Sequence, residues 1–297
     1  MHLLYVTFGP NPTHHLQAQF SIFSFWAKKS QLSSINIITD QPGMYANIKD
    51  RVNVILISEE TLQTWKGPYD FFWRVKIKAI EKMCDQYQNE PILYLDTDTF
   101  LYGDFETITS AARKGQAFMH ENEGRLGDDK SKTSIRMFKK IHKVNYSGIV
   151  IGREHCMWNA GAVLTPNTIK NNENLLALQI CDEMCRQGVT RRLIEQFALS
   201  LALQETYGLL PLENCISHYW SNKEAWNSLI QQFFIQEYFS NNTLEQSIDK
   251  FKDFNFLQQP VKLKIRNTNT RLKALVDKLY PAAKPEYAFK SADKTVE

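Results

Sequence analysis

Two carboxylates separated by a single residue, Asp96 and Asp98, follow directly on a short apolar run at positions 92–95. Such a run is typical of a buried strand, so both acids are expected where a strand leaves its sheet. Mg²⁺ and Mn²⁺ prefer oxygen ligands, which two carboxylates and phosphate oxygens together supply. A cation held there would act as a Lewis acid on a phosphate group that gains negative charge as a bond breaks. The spacing therefore predicts a divalent-metal site that serves a phosphate-containing substrate.

The elements before this pair alternate between strand and helix. Short apolar runs typical of strands occupy residues 3–8, 35–38, 52–57 and 92–95. Apolar positions at helical spacing predict helices over 15–29 and 72–83. This alternation predicts an α/β fold with a mostly parallel central sheet flanked by helices. Because ligands bind beyond the carboxyl ends of such strands, Thr7 and Asp40 are expected near the two acids.

The second half of the chain is less regular. Further strands are predicted over 116–120 and 161–165, and a helix-rich region continues to about residue 256. Residues 121–132 are polar and lack hydrophobic periodicity. This stretch is interpreted either as a loop that closes over the site or as a plain surface insertion. Residues beyond Tyr280 are predicted to be poorly ordered.

The composition is that of an ordinary globular protein. With 297 residues, 43% of them hydrophobic and 23% charged, the chain suits one large α/β domain or a core domain with an appendage. Its net charge of only +3 argues against a dedicated nucleic-acid binder. The basic residues concentrated from Lys262 onward are interpreted as a solvated tail, with contact to anionic lipid head groups as the alternative.

The cysteines and the hydropathy pattern suggest where the protein works. No two of the five cysteines have C-x-x-C spacing, which favours buried thiols in a reducing compartment. The amino terminus lacks a basic leader, and no apolar run approaches the roughly 20 residues of a membrane span. We therefore expect a cytoplasmic protein, and any membrane contact would be peripheral, at the inner face.

Four more motifs surround the acid pair in a fixed order. An aromatic segment with basic residues, FFWRVKIK at 71–78, precedes it, and WNAG at 158–161 follows it. A Glu-Gln pair at 195–196 comes next, and then HYWSNKEAW at 218–226. Together with the acid pair, these motifs resemble glycosyltransferases of the GT-A type, especially family 8 and its bacterial relatives. The resemblance covers roughly residues 1–230.

The resemblance implies a GT-A-like, Rossmann-like fold that binds Mn²⁺ or Mg²⁺ and a nucleotide-sugar donor, with UDP as the expected nucleotide. In this family an Asp-x-Asp motif binds the metal, so Asp96 and Asp98 would be ligands to it. The histidine of the last motif would make His218 the third ligand. A purely structural histidine is the alternative interpretation of this residue.

The same resemblance assigns polar side chains to the donor. Lys223 would contact the diphosphate and Arg74 the sugar or the diphosphate. Lys78, one helical turn after Arg74, would add a second positive charge. Alternatively, both are exposed residues of an amphipathic helix. Asp40 would reach the base or the ribose beside Thr7, or would simply form a turn.

The donor sugar would be oriented by the remaining motif residues. Asn159, Glu195 and Gln196 would lie near the anomeric carbon, and a small bend containing the glycine after Asn159 would let the backbone approach the ligand. The sequence departs from the family's pattern at several motif positions, among them Ser221 in place of Gly and Ala225 in place of Pro. Glu195 stands where the family has Asp, and Lys223 lies one position early.

The predicted protein is a metal-dependent hexosyltransferase. Residues 1–230 would form its catalytic domain and residues 231–297 a helical, basic extension. It would move a hexose from a nucleotide sugar to a hydroxyl of a glycan or glycolipid acceptor, in the synthesis of a cell-surface glycan. Family 8 implies retention of the anomeric configuration, whereas Glu195 placed behind the acceptor hydroxyl would serve as a general base for inversion.

Two other classes of protein remain as alternatives. The D-x-D-x-T pattern beginning at Asp96 also fits haloacid-dehalogenase-like phosphatases, in which the first Asp is the nucleophile and the second an acid/base. That fold usually carries the motif on its first strand, whereas several elements precede Asp96. The other alternative is a non-catalytic protein that binds nucleotide sugars without turning them over.

Overall fold

The computed structural model describes residues 1–168, 172–263, 272 and 275–280. The chain divides into a compact unit, Met1–Lys262, and a second unit, Leu263–Glu297. In the second unit residues 275–279 are helical, and the N–H of Tyr280 donates to the carbonyl of Val276. The predicted disorder beyond Tyr280 and most of the basic tail lie outside the described residues.

The strands within the described residues are short except for two. They are β1 (His2–Thr7), β2 (Ser34–Thr39), β3 (Asn53–Leu56), β4 (Ile92–Leu95), β5 (Thr99–Leu101), β6 (Ala117–Arg125), β7 (Asn145–Tyr146), β8 (Ile149–Val150), β9 (Cys156–Thr165), β10 (Leu209–Pro211) and β11 (Ile216–His218). The two long strands, β6 and β9, pair with each other in the central sheet.

The helices vary from two to nearly five turns. They are α1 (Pro12–Ala27), α2 (Glu59–Lys66), α3 (Arg74–Gln86), α4 (Phe105–Arg113), α5 (Lys132–Ile141), α6 (Asn172–Arg186), α7 (Ile194–Tyr207), α8 (Lys223–Phe239) and α9 (Leu244–Phe251). Helix α1 begins where its sequence provides a cap, because the side chain of Asn11 accepts from the N–H of Thr13 and Pro12 occupies the first turn.

The central sheet has seven strands in the order β10-β6-β9-β4-β1-β2-β3. The pairings β1–β2, β1–β4, β2–β3 and β6–β10 are parallel, whereas β9 runs antiparallel to both of its neighbours, β4 and β6. The prediction of an α/β fold with a mostly parallel sheet flanked by helices is therefore confirmed.

Alternate residues of the central strands enter two separate hydrophobic cores. Leu4 packs on the side of α3, α6 and α7, whereas Leu3 and Tyr5 pack on the side of α1, α8 and α9. Both faces of β1 are thus buried, and so are those of β4. Strands buried on both faces consist of continuous apolar runs, which is why these two could be predicted from the sequence.

Two local predictions in the middle of the chain are wrong. The polar stretch predicted as a loop from Glu121 continues strand β6 as far as Arg125, because its backbone pairs with β9 and needs no apolar side chain for that. Strand β9 begins at Cys156 rather than Gly161, so the WNAG segment is strand and not a bend.

The carboxyl-terminal helices of the compact unit pack on the α1 side of the sheet. Helix α8 continues across position 230, the predicted boundary between catalytic domain and extension. It buries Trp226, Ile230 and Phe233 in the same core as α1. The division of function between residues 1–230 and 231–297 stays a prediction. Among the described helices, none combines the length and the apolar character needed to cross a membrane.

Candidate active site

The two acids lie in the loop that joins β4 to β5. The N–H of Asp96 continues the sheet by donating to the carbonyl of Gly161 at 2.8 Å. Strand β5 then pairs antiparallel with β11, and this register sets Thr99 opposite His218. The N–H of Tyr219 donates to the carbonyl of Asp98 at 3.0 Å. Backbone pairing between β5 and β11 therefore brings His218 to the acid pair across more than a hundred residues of chain.

Asp96, Asp98 and His218 form a compact group of potential metal ligands. One ligand atom from each lies within 4.8 Å of the others. Asp98 Oδ2 is buried and accepts no well-formed hydrogen bond within the described residues, although His218 Nε2 is 3.4 Å away and Lys223 Nζ is 2.9 Å away. Burial alone would raise the pKa of Asp98, but His218 and Lys223 outweigh it and hold that pKa well below its usual value. The carboxylate is therefore ionised and suited to a cation.

The histidine ring is fixed by a side chain that the sequence assigned to the donor sugar. His218 Nδ1 is 3.0 Å from Asn159 Oδ1, which also accepts from the N–H of Gly161 at 2.9 Å. Because the amide oxygen is an acceptor, Nδ1 carries a proton. Nε2, 3.4 Å from Asp98 Oδ2, is therefore the ring nitrogen left for a metal, and an imidazole nitrogen with carboxylate oxygens is a donor set that divalent metals accept. The donor set thus fits a divalent metal.

Gly161 is required by the position of this ring. A Cβ atom at residue 161 would lie 2.2 Å from both Nδ1 and Cε1 of His218. The sequence suggested that this glycine lets the backbone approach a ligand closely. In the structure the close approach is instead between strand β9 and the imidazole.

Lys76 is a site residue that the sequence reasoning missed. Its Nζ lies 2.8 Å from Glu195 Oε1, 3.2 Å from Asp96 Oδ1 and 3.1 Å from the carbonyl of Ala160. Burial would lower the pKa of Lys76, but Asp96 and Glu195 raise it above its ordinary value, so the side chain stays charged. The hydroxyl of Tyr94 also donates to Asp96 Oδ1, at 2.8 Å. Asp96 is thus held from two sides.

A signal for Lys76 was present in the sequence. It lies three, four and seven residues before Ala79, Ile80 and Met83, on the apolar stripe of α3. A lysine on such a stripe must be paired when buried.

The structure brings neither Arg74 nor Lys78 to the acid pair. Arg74 donates to both carboxylate oxygens of Asp182, at 2.8 and 3.1 Å, and to the carbonyl of Trp65. Lys78 forms an ion pair with Glu81 on the same helix. Their predicted contacts with the donor stay predictions.

Glu123 joins two of the residues predicted to orient the sugar. Asn159 Nδ2 donates to Glu123 Oε1 at 2.9 Å, and Gln196 Nε2 donates to Oε2 at 3.0 Å. Sequence reasoning missed Glu123 because it lies in the polar stretch that reads as a loop. Glu195, beside Gln196, is buried against Lys76. Burial raises the pKa of Glu195, and the nearby Lys76 limits that rise.

Thr7 and Asp40 lie at the same edge of the sheet, at the ends of adjacent strands. Asp40 Oδ1 accepts from the N–H of Gly9 at 2.9 Å and so fixes the loop after β1. The buried hydroxyl of Thr7 is 2.9 Å from that of Tyr45. Their predicted contacts with a nucleotide stay predictions.

Gln17 connects the acid-pair loop to two helices. From its buried position on α1, its Oε1 accepts from the hydroxyl of Thr97 at 2.8 Å, and its Nε2 donates to Asn227 Oδ1 at 2.6 Å. Thr97 separates the two acids, and Asn227 lies on α8, which begins at Lys223. Gln17 thus helps to fix the loop relative to the helix that supplies a cation to Asp98.

No protein-family model matches this sequence, and no curated protein sequence matches it. The chain is similar to several solved structures. The galactosyltransferase LgtC, in complex with donor and acceptor sugar analogues, is 11% identical with a TM-score of 0.47, over 71% of this chain and 73% of LgtC. The glycosyltransferase GlyE of Streptococcus pneumoniae TIGR4 is 14% identical with a TM-score of 0.43, over 82% and 63%. Mouse xyloside xylosyltransferase 1 is 11% identical with a TM-score of 0.44, over 71% and 84%.

These solved structures are glycosyltransferases, the class that the sequence motifs resemble. Identities of 11–14% concern the fold alone. The chemistry of this chain therefore rests on the residues of its own site. Membership of family 8 stays a prediction.

Proposed function

We propose that this protein is a metal-dependent glycosyltransferase that moves a hexose from a nucleoside-diphosphate sugar to an acceptor hydroxyl. The observation that carries the proposal is the convergence of Asp96, Asp98 and His218, in which Nε2 of the imidazole lies 3.4 Å from a buried carboxylate oxygen. The group lies at the carboxyl end of β4, where ligands bind in parallel α/β sheets.

Asp96, Asp98 and His218 would hold Mn²⁺ or Mg²⁺. When bound, the cation would supply Lewis-acid stabilisation of the negative charge on a departing diphosphate. A UDP-sugar is the expected donor, on the strength of the motif resemblance.

The charges around the site favour this use. Three carboxylates, of Asp96, Asp98 and Glu195, contact two ammonium groups, of Lys76 and Lys223, which leaves a net charge of −1. A divalent cation would reverse that charge to +1 and so attract an anionic diphosphate.

The two lysines differ in their freedom to move. The side chain of Lys76 is 8% exposed and fixed by three contacts, so it serves as a permanent counterion to Asp96 and Glu195. The side chain of Lys223 is 46% exposed. We expect Lys223 to leave Asp98 when the metal binds and to contact the diphosphate.

Asn159, Gln196 and Glu195 would contact the donor sugar, with Glu123 holding the first two in place. Glu195 forms an ion pair with Lys76. Because this pair occupies its carboxylate, a positioning role is favoured over a general-base role. The anomeric configuration of the product, read by proton NMR, distinguishes retention from inversion. The acceptor would be a glycan or glycolipid of the cell surface, approached from the cytoplasmic side, and the basic carboxyl-terminal segment would contact anionic lipids.

A thermal-shift panel tests the proposal most directly. The protein would be heated with UDP, GDP or CDP, each with Mn²⁺ or with EDTA. We expect stabilisation by one nucleotide, UDP first, only when the metal is present. Asp98→Asn should abolish the shift, whereas Asp253→Asn, an exposed acid away from the site, should retain it. A thermal shift that is equal with Mn²⁺ and with EDTA, or that persists in Asp98→Asn, would contradict the proposed site.

A turnover assay distinguishes a glycosyltransferase from the two alternative classes, a phosphatase and a non-catalytic binding protein. Hydrolysis of the UDP-sugar with Mn²⁺, lost in Asp98→Asn, supports a transferase. Metal-dependent nucleotide binding without any turnover would identify a binding protein. Hydrolysis of a simple phosphomonoester, lost in Asp96→Asn, would identify a phosphatase instead.

A further inference from the structure

A cavity lies away from the acid pair, between the end of α1 and one face of α4. Its volume is about 660 Å³, which is within the usual size of ligand pockets. Helix α1 runs from the acid-pair loop, where Gln17 contacts Thr97, to this cavity, which begins at Lys28. The distance along the helix between those two residues is about 16 Å at 1.5 Å per residue. We call this cavity the α1–α4 pocket.

The lining of the α1–α4 pocket is polar and predominantly cationic. Four cationic side chains line it, from Lys28, Lys29, Arg113 and Lys114. The acids that line it are Asp104 and Glu106. Asp104 is committed to the first turn of α4, where it accepts from the N–H of Glu106 and the hydroxyl of Thr107. The pocket therefore has an excess of positive charge.

None of the four cationic side chains forms an ion pair or a side-chain hydrogen bond with another described residue. By contrast, Lys140, in the last turn of α5, donates to the carbonyl of Gly188 at 2.8 Å. The hydroxyls of Ser30 and Ser110 and the amide of Gln31 also face the pocket. Cations without a direct partner, beside neutral hydrogen-bond donors, form an environment that binds an oxyanion, although Lys29 also attracts the carboxylate of Asp249 at longer range.

The ends of two helices offer a competing explanation for these cations. Basic residues at a helix C-terminus interact favourably with the macrodipole, and α1 and α4 both end at the pocket. The carbonyls of Phe25 and Trp26 at the end of α1 already accept from the N–H groups of Ser30 and Lys29. The dipole thus accounts for the positions of the cations but does not use their hydrogen-bonding capacity.

We propose that the α1–α4 pocket binds a phosphate-bearing ligand. The phosphate would lie among Lys28, Lys29, Arg113 and Lys114. Lys28 also lines a neighbouring pocket of about 270 Å³ with Phe251, Phe254 and Phe256 in its walls. That pocket leaves room for an apolar group attached to the phosphate. The source of the phosphate is either a soluble phosphate ester or the head group of an anionic lipid.

The test uses two variants of the full chain with equal change in charge. The pocket variant is Lys28→Gln, Lys29→Gln, Arg113→Gln and Lys114→Gln. The control is Lys49→Gln, Lys82→Gln, Lys132→Gln and Lys139→Gln, which are exposed lysines outside both the pocket and the proposed active site. Circular dichroism and the melting temperature without ligand establish that each is folded. The double variant Lys28→Gln, Lys114→Gln serves as a smaller perturbation of the pocket.

Binding is measured by thermal shift with inorganic phosphate and with glycerol 3-phosphate, in EDTA and against chloride of equal ionic strength. We expect phosphate to stabilise the wild type and the control, and the pocket variant to bind at least about tenfold more weakly. Co-sedimentation with phosphatidylcholine vesicles, with and without phosphatidylglycerol, identifies the source. Pocket-dependent sedimentation with the anionic vesicles indicates a lipid head group, and its absence alongside phosphate binding indicates a soluble ester.

Three results would contradict the proposed phosphate site. If phosphate and anionic vesicles leave the wild type unaffected, the proposal is wrong. It is also wrong if the pocket variant retains its binding, or if the control loses as much as the pocket variant. These results do not depend on Mn²⁺ or UDP, so they leave the proposed transferase activity untouched.

Discussion

The two faces of the central sheet are buried by different physical means. On the face of α3, α6 and α7, ionisable side chains lie within the core, among them Lys76, Glu195 and Glu173. On the face of α1, α8 and α9 the core is aromatic, and Phe251 packs against Phe20 and Phe23 with ring centroids 4.9 and 5.9 Å apart. We call them the polar face and the aromatic face.

The difference suggests separate roles for the two faces. The polar face holds side chains of the site in fixed positions, whereas the aromatic face mainly stabilises the fold. A buried ion pair is strongly directional, and removing one partner leaves an uncompensated charge. The hydrophobic effect that stabilises a buried aromatic core is non-directional and roughly proportional to the apolar area removed from water. The polar face reaches Asp96 through Lys76, so we expect damage there to reach the chemistry. On the aromatic face the side chains that reach the acid-pair loop are polar, such as Gln17 and Lys223, so truncation of an aromatic ring away from them should reduce stability alone.

The largest expected effect comes from Lys76→Met. It leaves Glu195 without its cation and Asp96 without one of its partners. Loss of one partner of a buried pair costs about 3–5 kcal/mol, and donor turnover should be lost as well. Urea unfolding at pH 7 and a turnover assay measure the two effects.

The matched control for Lys76→Met is Lys78→Met on the same helix. Its partner Glu81 lies nearer the surface, so the cost should stay below about 1 kcal/mol. A second variant, Lys76→Met with Glu195→Leu, should recover part of the lost stability because it removes the unpaired charge. If Lys76→Met and Lys78→Met were equally stable, the buried ion pairs of the polar face would contribute no more to stability than a pair nearer the surface.

Phe251→Ala tests the aromatic face. Truncation of a buried Phe costs about 3–5 kcal/mol, so its effect on stability should match that of Lys76→Met. Binding of UDP and Mn²⁺ by the folded fraction should not change. Phe239→Ala is the control, since Phe239 is 80% exposed and its loss should alter stability by less than about 0.5 kcal/mol. A weakened metal site in Phe251→Ala would show that the two faces are coupled.

The sequence predicted the class of fold because the informative strands are buried on both faces. In β1 and β4 every second residue enters a different core, so their apolar runs are continuous. The position of β9, antiparallel between β4 and β6, could not be predicted. It depends on backbone pairing between segments far apart in the chain, and local hydrophobicity does not record such pairing.

The site shows the same difference between features that follow from local sequence and features that depend on distant segments of the chain. Asp96 and Asp98 could be predicted because they lie side by side in the chain at the end of an apolar strand. Glu123 could not be predicted, and the apolar stripe around Lys76 did not reveal its role, since both residues act through partners that are distant in sequence. Lys76 interrupts an apolar stripe, and such an interruption is also common on ordinary amphipathic helices.

Gly161→Ala should disturb the metal site with a smaller effect on stability than Lys76→Met. The added Cβ would meet the ring of His218 at 2.2 Å, and the ring must turn away from Asn159. Loss of such an orienting contact typically lowers metal affinity by about 10–100-fold. Titration of the thermal shift with Mn²⁺ at fixed UDP measures the change. Gly43→Ala is the matched control, because a Cβ there meets nothing within 4 Å. Unchanged Mn²⁺ affinity in Gly161→Ala would remove His218 from the proposed ligands.

The smallest effect is expected from Glu173→Gln, which probes burial on the polar face away from the metal. Thr165 donates to Glu173 Oε1, whereas Oε2 is buried and has no hydrogen-bond partner among the described residues. Burial raises the pKa of Glu173 in the folded protein above its ordinary value. The folded state therefore holds the proton more tightly than the unfolded chain, and this contribution to stability is lost as the pH rises through the folded-state pKa. Gln does not titrate, so Glu173→Gln should gain stability relative to wild type on going from pH 4 to pH 8, as measured by urea unfolding. The exposed Glu205→Gln should show no such dependence. If the stability of Glu173→Gln relative to wild type stayed constant or fell with rising pH, Glu173 would be ionised in the folded protein. The polar face would then bury a carboxylate that Lys76 does not contact.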